Sequence, residues 1–90
     1  MQAAPRPNLF FTSVFAPNYK NSLSYSGYVR SLSSVNEKGP FDILPMHENF
    51  MTVVLGNVVL VDEDGRRLEF NVGQAVIEAS GNLVKVFVNY

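Results

Sequence analysis

Phe50–Val72 reads FMTVVLGNVVLVDEDGRRLEFNV, and its pattern decides the fold. Arg67–Val72 alternates cleanly, with Leu68, Phe70 and Val72 on one face and Arg67, Glu69 and Asn71 on the other. A period of two fits a strand with one face in a core and one in water. Phe50–Leu55 and Val58–Val61 are rich in Val and Leu and strongly β-prone. Between them, Gly56-Asn57 has the length and composition of a two-residue hairpin turn, because type I′ and II′ turns favour Gly. Asp62-Glu63-Asp64-Gly65 makes the next turn.

The same reading extends outward. On the C-terminal side, Gly73-Gln74 precedes a strand at Ala75–Ala79, and Ser80-Gly81-Asn82 turns the chain again. Leu83–Asn89 follows, with Val84, Val86 and Val88 on one face and Leu83, Lys85, Phe87 and Asn89 on the other. On the N-terminal side, Leu9–Ala16 reads as a strand broken by Pro17-Asn18. Asn8, Thr12 and Ser13 interrupt its apolar run, which argues for a strand over a signal peptide. Ser22–Tyr25 is a short strand closed by Ser26-Gly27. Tyr28–Val35 is a longer one, expected to place Tyr28, Arg30, Leu32 and Ser34 on one face. Asn36–Pro40 reads as a polar loop, and Phe41–Leu44 as a short strand ending at Pro45. No window carries a sustained helical stripe. The expectation is an all-β domain over residues 9–90, an antiparallel β-sandwich or flattened barrel of about nine to ten strands, behind a loose tail at 1–8.

Length and composition bound the function. Ninety residues make one domain with a modest core, to which a partner adds stability. A net charge of −1 provides no field for nucleic acid or an anionic membrane surface. No cysteine is present, so disulfides, thiolate nucleophiles and Cys-type zinc sites are excluded. No run approaches the ~18 apolar residues of a membrane helix.

The polar residues point away from a self-contained enzyme. His47 is the only histidine, with Glu48 beside it and Asp42 nearby in sequence, and it reads as a hydrogen-bonded loop residue rather than a base or metal ligand. Asp62–Gly65 lacks the ligand spacing of an EF-hand and is flanked by strands, so it reads as a solvated turn. Gly73 and Gly81 belong to no phosphate-binding loop, and no Walker or dinucleotide signature occurs. The serines at 22, 24, 26, 31, 33 and 34 contain no nucleophile elbow. Arg66-Arg67 is a lone basic pair. Tyr25, Tyr28, Phe41, Phe50, Phe87 and Tyr90 exceed what the best-patterned strands bury, so they either complete the core or form an exposed patch for a protein partner.

The stretch Val35–Val61, VNEKGPFDILPMHENFMTVVLGNVVLV, resembles the signature of the F-type ATP synthase epsilon subunit, called delta in mitochondria. Glu37 and Gly39 stand in a small polar loop, followed by Ile43-Leu44-Pro45-Met46-His47, an apolar strand, Gly56 and an apolar return strand. Phe70–Gly73, Ala75–Glu78 and Leu83–Val88 are similar to the family's later strands. The sequence departs from the family at Asp42 and Met46, where Gly is usual, and at Gln74 in place of the second Gly of a pair. These departures test whether those turns need positive φ. Family members commonly carry a C-terminal helical hairpin; this chain ends at Tyr90, so the hairpin is expected to be naturally absent or truncated, and its inhibitory and nucleotide-binding roles with it.

The resemblance implies a non-catalytic rotor subunit without a cofactor, linking the gamma subunit to the c-ring of a proton- or sodium-translocating ATP synthase. It implies a soluble peripheral subunit of F1, on the cytoplasmic face of a bacterial inner membrane or the matrix or stromal side in an organelle, with no direct membrane insertion. By the same resemblance, Asn36, Glu37, Lys38, Gly39, Pro40, Phe41 and Asp42 face the c-ring. Pro45, His47, Glu48, Phe50 and Met51 face gamma. Two other readings stay open: a stand-alone β-sandwich that binds another protein or a ligand between its sheets, and a small enzyme built on His47 with Asp42 or Glu48.

Overall fold

The computed structural model describes residues 8–16 and 23–89. Among these residues six strands make up the fold: β1 (Phe10–Phe15), β2 (Leu23–Asn36), β3 (Gly39–Ile43), β4 (Phe50–Asp62), β5 (Arg67–Ser80) and β6 (Leu83–Asn89). The order β1-β6-β5-β4-β2 closes through a β1–β2 pairing into a five-stranded barrel, and β3 adds to β2 outside the closed ring. The expected tail at 1–8, the break at Pro17-Asn18 and the strand start at Ser22 lie wholly or largely outside the described residues.

The all-β expectation holds, and the strand count changes from nine or ten to six. Three expected breaks do not interrupt their strands. Ser26-Gly27 lies within β2, Gly56-Asn57 within β4 and Gly73-Gln74 within β5. Gly56 and Gly73 are paired across the β4–β5 ladder at φ 84° and 65°, and the register shifts by one residue beside them. The shift is a β-bulge, which bends a strand and adds twist. Gly56-Asn57 is therefore a bend in a continuous two-strand ribbon and not a hairpin turn. The barrel is also not wholly antiparallel, since β1 and β6 run parallel, with Val14 opposite Val86.

Side-chain alternation builds the core. Val84, Val86 and Val88 of β6 are buried while Leu83 and Phe87 are exposed. Val72 of β5 is buried, and Leu68 and Phe70 pack against the core. Phe10, Leu32, Ile43, Leu60 and Ile77 are the largest fully buried side chains. Burying each contributes roughly 1.5–3 kcal/mol relative to exposure. The expected face of Tyr28, Arg30, Leu32 and Ser34 splits: Val29, Leu32 and Ser34 are buried and Arg30 is exposed. A register shift between Val29 and Ser31 inverts the alternation there.

Candidate functional site

The segment expected as a polar loop at 36–40 is the tip of a tight hairpin. Asn36 ends β2, Gly39 opens β3, and Asn36 pairs with Gly39. Only Glu37 and Lys38 form the turn, and both are exposed. The Asn36 side chain stabilises the reversal by accepting a hydrogen bond from the Lys38 amide at 2.9 Å. Gly39 sits at φ 117°, a region Cβ-bearing residues avoid. Pro40 and Asp42 are exposed along β3, and Asp42 accepts a hydrogen bond from Ser33 Oγ at 2.5 Å. Phe41 turns inward and packs against the core.

The following segment, Leu44–Asn49, joins β3 to β4 without regular structure. Pro45 and Met46 form a turn, with Met46 at φ 64° and 83% exposed. His47 is half-buried, its ring meeting Phe10 edge-on at 5.4 Å between centroids. His47 Nδ1 lies 3.2 Å from the Glu48 carbonyl oxygen. A carbonyl only accepts, so Nδ1 carries the proton and donates. Nε2 is buried and has no hydrogen-bond partner among the described residues. Glu48 is exposed. Asn49 ties the segment to the β5–β6 turn by accepting from the Gly81 amide at 2.8 Å.

Residues expected on two separate surfaces are brought together here. The Asn36 amide donates to Thr52 Oγ1 at 3.2 Å, linking the hairpin to β4. Phe41 meets Phe50 edge-on at 6.4 Å. Glu37 and Met51 line one shallow, open depression with Val53, Leu55, Gln74 and Val76. Thus Asn36, Glu37 and Phe41 adjoin Phe50 and Met51. His47 is engaged instead at the start of β1.

The arrangement sets an exposed polar tip beside an exposed apolar edge of β4. Ser33 and Asp42 form a hydroxyl–carboxylate pair, but His47 is committed to Glu48 and Phe10 and does not stand between them as a base. Among the described residues, no three His, Asp or Glu side chains gather into a metal-ligating group. Asp62–Gly65 is an Asx-type turn: Asp62 Oδ1 accepts from the amides of Asp64 and Arg66 at 3.0 and 2.8 Å. Among the described residues, no helix is long and apolar enough to cross a membrane.

Sequence reasoning missed Val53 and Leu55 on the outward face of β4, which are 48% and 56% exposed; Met51, expected to face gamma, and Phe87 of β6, weighed for an exposed patch, are 65% and 41% exposed. The signal was present as apolar residues at every second position of 51–55 on a strand whose other face is buried. Of the aromatics weighed for core or patch, Tyr25 and Phe41 pack against the core, whereas Phe50 and Phe87 are partly exposed.

No protein-family model and no curated protein sequence matches this chain. Among solved structures, the chain is similar to one from Euglena gracilis mitochondrial ATP synthase, determined by cryo-electron microscopy as OSCP/F1/c-ring in rotational state 1. The TM-score is 0.81 at 11% identity, over 97% of this chain and 54% of that one. At that identity the likeness establishes a shared fold. This chain spans about half the length of the Euglena chain.

Proposed function

We propose that this chain is a non-catalytic central-stalk component of an F-type ATP synthase, of the epsilon type, that links the gamma subunit to the c-ring. The observation that carries the reading is the fold match, which extends over 97% of the chain to a chain of an ATP synthase. The epsilon-like signature at Val35–Val61 supports it independently, because it rests on residues rather than on backbone shape. Two of its parts share one surface, where the Glu37-Lys38 tip and the Phe50–Met51 end of β4 adjoin, while His47 packs against Phe10. In this reading the exposed tip meets the polar loops of the c-ring. Pro45, His47, Glu48, Phe50 and Met51 lie toward gamma, and the subunit transmits torque without chemistry of its own.

Calorimetry of this chain against separately purified gamma subunit from the same organism tests the proposal. A one-to-one complex with a clearly negative heat-capacity change, the mark of apolar burial, is the expected result. Absence of heat at tens of micromolar, about the level where weak specific interfaces register, overturns the assignment. Glu37→Ala with Lys38→Ala then tests the ring-facing part: the exposed tip tolerates both changes within about 0.5 kcal/mol, while ring attachment weakens.

A further inference from the structure

Four outward side chains on four neighbouring strands form one row. Phe15 of β1 pairs with Phe87 of β6, Phe87 with Val76 of β5, and Val76 with Val53 of β4. Phe15 and Phe87 stack at 5.4 Å with their planes 14° apart. Two residues further along the strands, the same face carries Lys85 on β6 directly opposite Glu78 on β5. The face thus presents an apolar row beside one positive and one negative group. Charged residues are ordinarily arranged to meet their opposites across an interface.

We propose that the outer face of β5 and β6 is a homodimerisation surface, on which a second copy of this chain sits about a twofold axis running along the strands between β5 and β6. The register selects this occupant. Rotation about that axis exchanges β5 with β6 and keeps each residue at its level along the strand. Phe87 then lies over the partner copy's Val76, and Phe15 over its Val53. The same operation places Lys85 over the second copy's Glu78, and Glu78 over its Lys85. One axis satisfies the apolar row and both charges, as a self-complementary interface requires. The strands of the two copies run in the same direction, the aligned mode in which twisted sheets pack at about 30°. A net charge of −1 per chain adds little repulsion between copies. A barrel face is convex and the matched strip is narrow. So narrow a contact makes a weak dimer, with an expected dissociation constant on the order of 10–100 µM. This association stands independently of the stalk reading.

Sedimentation of the purified chain alone, from about 5 to 500 µM, is the test, spanning the range in which so small an interface dissociates. The expected result is a monomer–dimer equilibrium. Glu78→Lys and Lys85→Glu each place like charges face to face and weaken the dimer by at least about tenfold. Mixing the two variants restores dimers, because one copy presents two positive groups and the other two negative ones. Should a charge variant lose its circular-dichroism signature, Val53→Glu probes the same face from a half-exposed position and also abolishes the dimer. A chain that stays monomeric throughout overturns the proposal, as does a dimer indifferent to Val53→Glu or to the charge variants. Val53 and Val76 also line the depression beside Met51, so gamma and a second copy share this edge; sedimentation of the chain alone reads the dimer and calorimetry reads gamma, so the two readings can fail separately.

Discussion

Gly56 and Gly73 face each other in the β4–β5 ladder, both with positive φ, and no atom lies within 4 Å of where a Cβ would stand on either. Space is therefore not what reserves these positions for glycine. The backbone conformation is. A left-handed conformation costs an L-residue about 1–2 kcal/mol, and alanine's stiffer unfolded chain offsets about 0.4–1 kcal/mol of it, so Gly56→Ala and Gly73→Ala should each destabilise the domain by roughly 0.5–1 kcal/mol. Urea unfolding of the two variants checks this. The double variant should depart from additivity, because the paired residues share one bend.

Met46 presents the opposite case. It occupies a left-handed position at φ 64° with 83% of its surface in water, so its side chain returns little for the strain. Met46→Gly removes about 1–2 kcal/mol of conformational cost. It returns about 0.4–1 kcal/mol through the greater freedom of the unfolded chain. A net gain of roughly 0.5–1 kcal/mol is expected, visible as a higher unfolding midpoint. The other departures from the epsilon signature, Asp42 and Gln74, have no positive φ, so only the turn at Met46 carries this strain.

How much of this was legible in the sequence follows from what each signal measures. Alternation at 67–72 and 83–89 reports burial on a flat strand, and both faces were read correctly there. It fails at Val29–Ser31, where a bulge shifts the phase without any glycine to announce it. Gly56-Asn57 carries the composition of a turn, but composition specifies only positive φ. Whether the chain reverses or merely bends depends on Gly73, 17 residues later in the sequence and opposite in the ladder. At the candidate site, the Glu37-Lys38 tip was legible as polar residues before a glycine. Its junction with Phe50 and Met51 was not, because it depends on the long-range contacts of Asn36 with Thr52 and of Phe41 with Phe50.

Thr12 lies fully buried in β1, and its hydroxyl has no hydrogen-bond partner among the described residues. An unsatisfied buried hydroxyl costs about 1–3 kcal/mol on mutational scales. Thr12→Val keeps the branched shape and removes that cost, so it should stabilise the domain by about 1–2 kcal/mol. Thr12→Ser keeps the hydroxyl, loses a methyl group and should destabilise by about 1 kcal/mol. Thermal melts of the pair decide it: equal midpoints would mean the hydroxyl is not a liability.

Tyr25 gives the domain a pH dependence on the alkaline side. Burial raises its phenol above the ordinary value of 10.0, and the carboxylates of Asp62 and Glu63 raise it further. The folded state thus holds this proton more tightly than the unfolded chain does. Below about pH 10 both states are protonated and Tyr25 adds no slope. Above it the unfolded chain ionises first, so stability falls until the pH passes the raised folded-state value. Tyr25→Phe should therefore flatten the loss of melting temperature above pH 10, the ordinary phenol value. An unchanged alkaline slope would assign that loss to other groups.

Phe50 separates a structural role from a binding one. It stands at the start of β4, opposite Ala79, with its ring edge-on to Phe41 and 37% of its surface exposed. A fully buried phenylalanine costs about 3–5 kcal/mol on truncation to alanine. With part of its ring already in water, Phe50→Ala should cost only about 1–2 kcal/mol of stability, including the lost ring pair. If this end of β4 anchors the gamma subunit, the same variant should also lose about 1–4 kcal/mol of binding. Both readouts belong on one protein sample, the melting temperature alone and the calorimetric affinity for gamma. A stability loss without an affinity loss would remove Phe50 from the gamma-facing set and leave Met51, more exposed and on the adjoining depression, as the next residue to truncate.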